Sequence, residues 1–336
     1  MSLHPTVNII GTQLDSFRGY GLVVDAGIVA DALRQAGFDV AHINSHFYWG
    51  EGLVNDIRAR AARELQGFRY RFLRKRFPKR DINIFLERVP HQMFPAARHQ
   101  VLIPNQEWFF DRWETHLKKF DAVICKTHAA EEIFSKLGCR TYYSSFSSQD
   151  KRELSRGPKR REFLMISGKR TGVADRVIAL WSRHPEWPRL TLVGHRISTA
   201  TDLPNVRLIR DYVPEDEITR MQNDHLFHLA VTAAEGFGHK LNEGMSCGAI
   251  VITTDAPPMN EIIRPDRGLL VKWNRSNPKA LGTEYHFDET DLERAVERCL
   301  KLNADEIDGL SSRARGWFES NDRFFRETLP KILHAI

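Results

Sequence analysis

Short apolar runs and stretches of helical periodicity alternate along the chain. Residues 7–10 form an apolar run, and 12–21 a polar, glycine-bearing stretch. Residues 22–35 then place Val23, Ala26, Ala30 and Leu33 on one face and stop at Gly37, which predicts an amphipathic helix. A strand is predicted at 38–43. Further strands are expected at 82–86, 101–104, 122–125 and 140–143, with helices at 107–119 and 129–137. Residues 147–161 hold almost no large apolar side chain and read as a linker. The pattern then restarts. Strands are expected at 163–166, 191–193, 206–208, 227–231 and 249–253, and helices at 174–183, 215–223 and 240–247. This order predicts an α/β chain with two doubly wound, mostly parallel units. The tail carries Trp317, Phe318, Phe324, Phe325, Leu329 and Ile332 at near-helical spacing, which predicts a core-packing helix.

Composition agrees with this picture. At about 150 residues per domain, 336 residues predict two domains. Apolar residues at 42% and charged residues at 27% exclude a disordered chain. No apolar run reaches the ~18 residues that span a bilayer. Residues 1–6 lack the charged start of a secretory signal, so none is expected. Cys125, Cys139, Cys247 and Cys299 form no CxxC pair and sit in apolar or mixed elements. Buried thiols in a reducing, cytoplasmic setting are expected.

The net charge of +6 is unevenly placed. Residues 57–80 hold ten Lys or Arg against one acid, Glu64, so this segment carries +9 and the remainder −3. Ile57, Ala61, Leu65, Phe68 and Phe72 recur at steps of three and four, which predicts one helix with a narrow apolar stripe.

The densest chemistry lies at 235–261, EGFGHKLNEGMSCGAIVITTDAPPMNE. A strand ends, a Glu235-Gly236-Phe237-Gly238 turn follows, and a helix begins. Ligands of open α/β sheets bind at the carboxyl ends of strands. Two glycines admit close backbone approach and present amides at a helix start, a cradle for phosphate or sugar hydroxyls. Glu235 stands at the strand tip and Glu243 eight positions on, so both can face one crevice. Carboxylates accept hydrogen bonds from vicinal hydroxyls. A strand-helix turn with a capping glutamate is the alternative reading of the spacing.

This run resembles the donor-binding motif of retaining GT-B glycosyltransferases of family 4, the group 1 glycosyltransferases. The Glu235/Glu243 spacing, the Glu-Gly-Phe-Gly turn and the Cys247-Gly248 step carry the resemblance, which covers about 163–274. It implies a GT-B fold: two Rossmann-like domains facing a cleft, with the last helix crossing back. The domains would be 1–147 plus 312–336 on the acceptor side and 161–311 on the donor side. It implies that Glu243 holds ribose hydroxyls, that Glu235 holds the donor sugar, and that Gly236, Phe237 and Gly238 contact sugar and phosphates. Relatives place cations after the first strand of the second domain. Here Gly168, Lys169 and Arg170 fill that loop, Arg176 is the next cation, and Lys240 is a further candidate. The nucleobase position falls on Tyr212 and Val213. In the first domain, Gly19 and Gly21 match a glycine-rich loop. The usual histidine at the fourth strand tip is replaced by Asn105, and His91 is the candidate substitute.

The resemblance implies hexose transfer from a nucleotide diphosphate sugar to a hydroxyl acceptor, glycan or lipid-linked, with retention. No metal or other cofactor is expected, and the leaving diphosphate would assist deprotonation of the acceptor. A GT-B sugar phosphorylase or epimerase, or a non-catalytic sugar-nucleotide-binding protein, are the alternatives. For 57–80, a solvated face, docking on anionic lipid at the cytoplasmic membrane face with Phe68, Tyr70, Phe72 and Phe77 at the interface, and an anionic soluble acceptor stay open. No nucleic-acid motif accompanies the segment, and nucleic acid is not an expected partner.

Overall fold

The computed structural model describes residues 5–12, 20–46, 53–73, 79–155, 157–167, 172–194, 197, 199 and 202–336. The chain divides into two units. The first comprises Met1–Ser147, Lys279–Gly282 and Asp322–Ile336, and the second Ser148–Pro278 and Thr283–Asn321.

The first unit is built on β1 (Thr6–Thr12), α1 (Tyr20–Gln35), β2 (Asp39–His46), α2 (Leu53–Phe72), β3 (Arg80–Leu86), β4 (Ala97–Ile103), β5 (Ala122–Cys125), α3 (His128–Lys136) and β6 (Thr141–Tyr143). Its six strands lie parallel in the order β2-β1-β3-β4-β5-β6. Central strands covered on both faces read as continuous apolar runs, as at Ile82, Ile84, Phe85 and Leu86. One exception is polar. Asn8 Nδ2 donates to Asn83 Oδ1 at 2.9 Å, and Asn83 Nδ2 donates to Gln100 Oε1 at 2.9 Å. The ladder crosses β1, β3 and β4, and its ends close on the carbonyls of Met93, Phe94 and Ala97. Each amide is satisfied by another, which is the condition for keeping polar groups in a core.

The second unit holds β7 (Arg160–Ile166), α4 (Val173–Ser182), β8 (Leu190–Val193), β9 (Val206–Ile209), α5 (Glu215–Asp224), β10 (His225–Ala230), α6 (His239–Ser246), β11 (Ile250–Thr254), α7 (Met259–Ile262) and β12 (Gly268–Val271). Its sheet is again six parallel strands, β12-β11-β10-β7-β8-β9. Phe163 and Phe227 are register partners on adjacent strands and stack at 4.9 Å, with Trp181 and Trp187 packed behind. A fully buried aromatic ring of this kind contributes about 2–3 kcal/mol.

Four expectations change. Residues 107–119 form 3-10 turns, Gln106–Trp108 and Asp111–Lys119, rather than an α-helix. Phe109 is drawn into the core against Trp113 and Phe134, and Phe109 and Phe110 take extended backbone between the turns. A hairpin, β13 (Trp273–Lys279) with β14 (Gly282–Phe287), and helix α8 (Glu289–Lys301) follow β12. The tail helix begins early, as α9 (Ala304–His334). It changes unit at Asp322, and in the first unit Phe325 lies on Phe146 at 4.9 Å.

The fourth change concerns α2. Ile57, Leu65, Phe68 and Phe72 of the stripe are 52–61% exposed and Val54 extends it at 62%; what changes is where the helix ends and the side on which Tyr70 lies. The packed face is Ala59, Gly67 and Tyr70. Gly67 fits only because it has no Cβ, which would stand 2.8 Å from the Gln92 carbonyl. Helix α2 ends at Phe72, and Arg80 belongs to β3 beside Asp39 at 2.9 Å. Tyr70 turns inward, and burial raises its phenol above the ordinary range. Phe77 lies outside the described residues.

Candidate active site

The loop after β10 and the start of α6 build the site. Gly238 stands at φ 89°, in the left-handed region, immediately before α6. A Cβ there would also lie 2.9 Å from Leu241 Cδ1, so the turn requires glycine. The Gly238 carbonyl accepts from the amides of Leu241 and Asn242 and from Asn242 Nδ2 at 3.0 Å, which fixes the first turn. The same closeness continues along α6. A Cβ at Gly244 would meet Val251 Cγ2 at 2.8 Å and His228 Nδ1 at 2.9 Å.

This geometry brings Glu235, Lys240 and Glu243 together. Lys240 Nζ donates to the carbonyl of Ile166, at the end of β7, at 2.6 Å. Burial holds its ammonium below the usual range, against the opposite pull of the Glu235 and Glu243 carboxylates. Burial raises the Glu243 carboxyl, while His239, the hydrogen bond from Gln222 Nε2 at 3.1 Å and Lys151 act against it. Glu235 and Glu243 both stay partly exposed. The result is two carboxylates and one ammonium at the carboxyl edge of the sheet, where ligands of such sheets bind.

Sequence reasoning missed several members of this site. His239 Nδ1 meets Ser148 Oγ at 2.7 Å and lies four positions before Glu243, a helical spacing that could have found it. Gln222 and the ion pair of Lys151 with Glu215 come from other segments, and no local pattern announces them.

The remaining predicted residues divide. Gly236 and Phe237 are buried in the turn, with Phe237 edge-on to His239 at 6.1 Å. Tyr212 is exposed, and Val213 packs on Leu164, Val193 and Met221. Arg176 is drawn away from a diphosphate role: it binds Glu289 at 2.8 Å and the Phe287 carbonyl at 2.9 Å and lies over the Phe287 ring. Gly19, Gly168, Lys169 and Arg170 fall outside the described residues. Gly21 lies in the first turn of α1, where a Cβ would meet nothing within 4 Å. In the first unit, Asn105 Nδ2 donates to Glu87 Oε2 at 3.0 Å. His91 is exposed and stacks on His116 at 4.9 Å.

Residues 192–302 match the family model described as glycosyl transferases group 1. That stretch, about a third of the chain, is similar to group 1 glycosyltransferases. Solved structures extend the likeness to the whole chain. A glycosyltransferase from Rickettsia africae ESF-5 is 12% identical with a TM-score of 0.68, over 99% of this chain and 98% of that one. Sucrose-phosphate synthase from Thermosynechococcus elongatus is 13% identical with a TM-score of 0.69, over 99% and 100%. HepE of Anabaena, solved in complex with UDP and glucose, is 13% identical with a TM-score of 0.65, over 99% and 100%. At these identities the likeness is one of fold, and the fold of this chain is GT-B. No curated protein matches the chain.

Proposed function

We propose that this glycosyltransferase moves a hexose from a nucleotide diphosphate sugar to a hydroxyl acceptor, with retention at the anomeric carbon. The observation that carries the reading is the Glu235–Lys240–Glu243 cluster at the carboxyl edge of the second sheet. Glu243 takes the ribose hydroxyls and Glu235 the donor sugar, since ionised carboxylates bind vicinal hydroxyls by charge-assisted hydrogen bonds. Lys240 offsets one carboxylate, so that an anionic diphosphate can approach beside the amides at the start of α6. In this reading protein cations and amides stabilise the departing diphosphate, which takes the acceptor's proton. The UDP and glucose held by Anabaena HepE support the donor class.

The acceptor is assigned to the first unit, and the exposed face of α2 to an anionic bilayer. Val54, Ile57, Leu65, Phe68 and Phe72 form an apolar stripe, flanked by exposed Arg58, Arg60, Arg69 and Arg71. A solvated helix has no need of that stripe, whereas an interfacial helix does. A lipid-linked acceptor at the cytoplasmic membrane face fits this surface.

Turnover of a panel of nucleotide sugars tests the reading. Glu235→Gln should lower kcat by about 100-fold, as loss of a group that acts in the transition state. Glu243→Ala should weaken nucleotide affinity about tenfold, the worth of one charge-assisted bond. Tight nucleotide binding without turnover identifies a non-catalytic binder, and full activity of Glu235→Gln removes the site assignment.

A further inference from the structure

We propose that Glu87 and Asn105 form the seat for the acceptor's hydroxyl in the first unit, with the Glu87 carboxylate accepting its hydrogen bond. The proposal rests on the transferase reading above and adds Glu87 to the residues that touch substrate.

Placement comes first. Glu87 follows β3 directly, and Asn105 lies two residues beyond β4. The strands pair with Leu86 opposite Ile103, and the Glu87 amide donates to the Ile103 carbonyl at 2.9 Å. The two side chains therefore stand side by side on the carboxyl edge of a parallel sheet, the edge at which ligands bind.

The backbone adds a second observation. Glu87 has φ 60°, a left-handed conformation that side chains larger than hydrogen disfavour. Glycine or asparagine would hold this corner at lower cost. Strained residues of this kind persist where a site requires the side chain.

Hydrogen bonding supplies the third. Asn105 Nδ2 is taken by Glu87 Oε2 at 3.0 Å, while Asn105 Oδ1 is closed to solvent and has no partner among the described residues. A buried acceptor without a donor is uncommon and calls for one. The carboxylate beside it also accepts. The complement to two adjacent acceptors is a donor, and a sugar or polyol hydroxyl supplies it. The neighbouring ammonium does not supply it: Lys126 Nζ donates to Asp25 at 2.6 Å and lies 4.3 Å from the centre of the Phe146 ring, and Asn105 Oδ1 accepts nothing from it. The Glu87 side chain remains 12% exposed, so a ligand can reach it.

The charges around Glu87 are Arg88 at 3.6 Å on its own loop, Lys126 after β5 and Asp25 on α1. Burial raises the carboxyl above its ordinary range, Asn105, Arg88 and Lys126 lower it, and Asp25 raises it further. Its ionisation therefore falls closer to neutrality than that of a surface glutamate. The hydroxyl is held best once the carboxyl has lost its proton.

Three proteins decide the matter: the 336-residue chain, Glu87→Gln and Glu87→Gly. Glycine suits the left-handed backbone, so Glu87→Gly should unfold at a temperature no lower than the parent. Binding of glucose, galactose and mannose is followed by ligand-observed NMR with UDP present, and UDP affinity by calorimetry. The parent should bind at least one sugar saturably. Glu87→Gly should weaken that binding about tenfold, the loss of one charge-assisted hydrogen bond, with UDP affinity within about twofold of the parent. Sugar affinity should rise with pH in the parent and stay flat in Glu87→Gln. Sugar binding by Glu87→Gly at parental strength, or a parent that binds none of the three sugars, overturns the seat. Sugar binding that depends on Glu87, without turnover of any nucleotide sugar, overturns the transferase reading and keeps the seat. Undiminished transfer by Glu87→Gly overturns the seat and keeps the transferase reading.

Discussion

His228 lies beneath Gly244, and its Nε2–H donates to the Gln222 carbonyl at 3.0 Å. Burial pushes its pKa down to about 3, with Lys159 and His225 adding repulsion. The folded value lies below the ordinary 6.5, so the neutral ring contributes stability that is complete above about pH 6.5. That contribution is lost as the pH falls towards 3. Between pH 7 and 4.5 the loss should be about 2–3 kcal/mol. Urea denaturation at both pH values checks this: His228→Gln should show a smaller drop than the parent, and an equal drop would place the sensitivity elsewhere. At this scale the sequence is legible where function is local. Glu235, Lys240 and Glu243 sit within nine residues, and their convergence follows from one turn and one helix. Gln222, Lys151 and Ser148 join them through tertiary packing, which leaves no trace in spacing. The same holds for Glu87, whose meaning comes from a backbone angle and from a partner eighteen positions away.

Helix α6 shows how an element becomes a site. Its register on the sheet depends on Gly244, which lies 2.8 Å by its missing Cβ from Val251 Cγ2. Gly244→Ala should lower stability by about 1–3 kcal/mol as the helix is forced outward. It should also reduce nucleotide affinity, because Glu243 and Lys240 move with the helix. Thermal unfolding and calorimetry read the two effects, and an unchanged variant would show that α6 adjusts freely. The first eleven strands are legible because strands buried on both faces are apolar runs bounded by turn residues. The hairpin β13–β14 is not, since its residues Trp273–Lys279 are largely exposed and carry Asn, Arg, Ser and Pro. Residues 107–119 mislead for another reason: helical spacing does not distinguish an α-helix from 3-10 turns once Phe109 is pulled into the core. Helix α2 is legible as a helix and illegible in its orientation. Periodicity locates an apolar stripe without saying which way it faces, and here small residues make the packed side.

For the molecule as a whole, the net charge of +6 belongs to one segment. No helix among the described residues is long and apolar enough to cross a membrane. Attachment by α2 would be peripheral, with each basic side chain near an anionic surface contributing about 1 kcal/mol. Co-sedimentation should recover the protein on vesicles of phosphatidylcholine mixed with phosphatidylglycerol, and far less on phosphatidylcholine alone. Phe68→Asp together with Phe72→Asp should abolish the difference with little change in unfolding temperature, because both residues are more than half exposed and their rings pack on each other at 4.6 Å. Equal recovery on both vesicles would count against docking. The exposed face of α2 has one more consequence. Among the described residues nothing covers the stripe, so in dilute buffer without lipid another copy of itself can. Concentration-dependent self-association of the purified protein would therefore originate at this helix, and detergent or anionic vesicles would dissolve it. The stoichiometry of such clusters would describe an unsatisfied surface, not a quaternary structure required for catalysis.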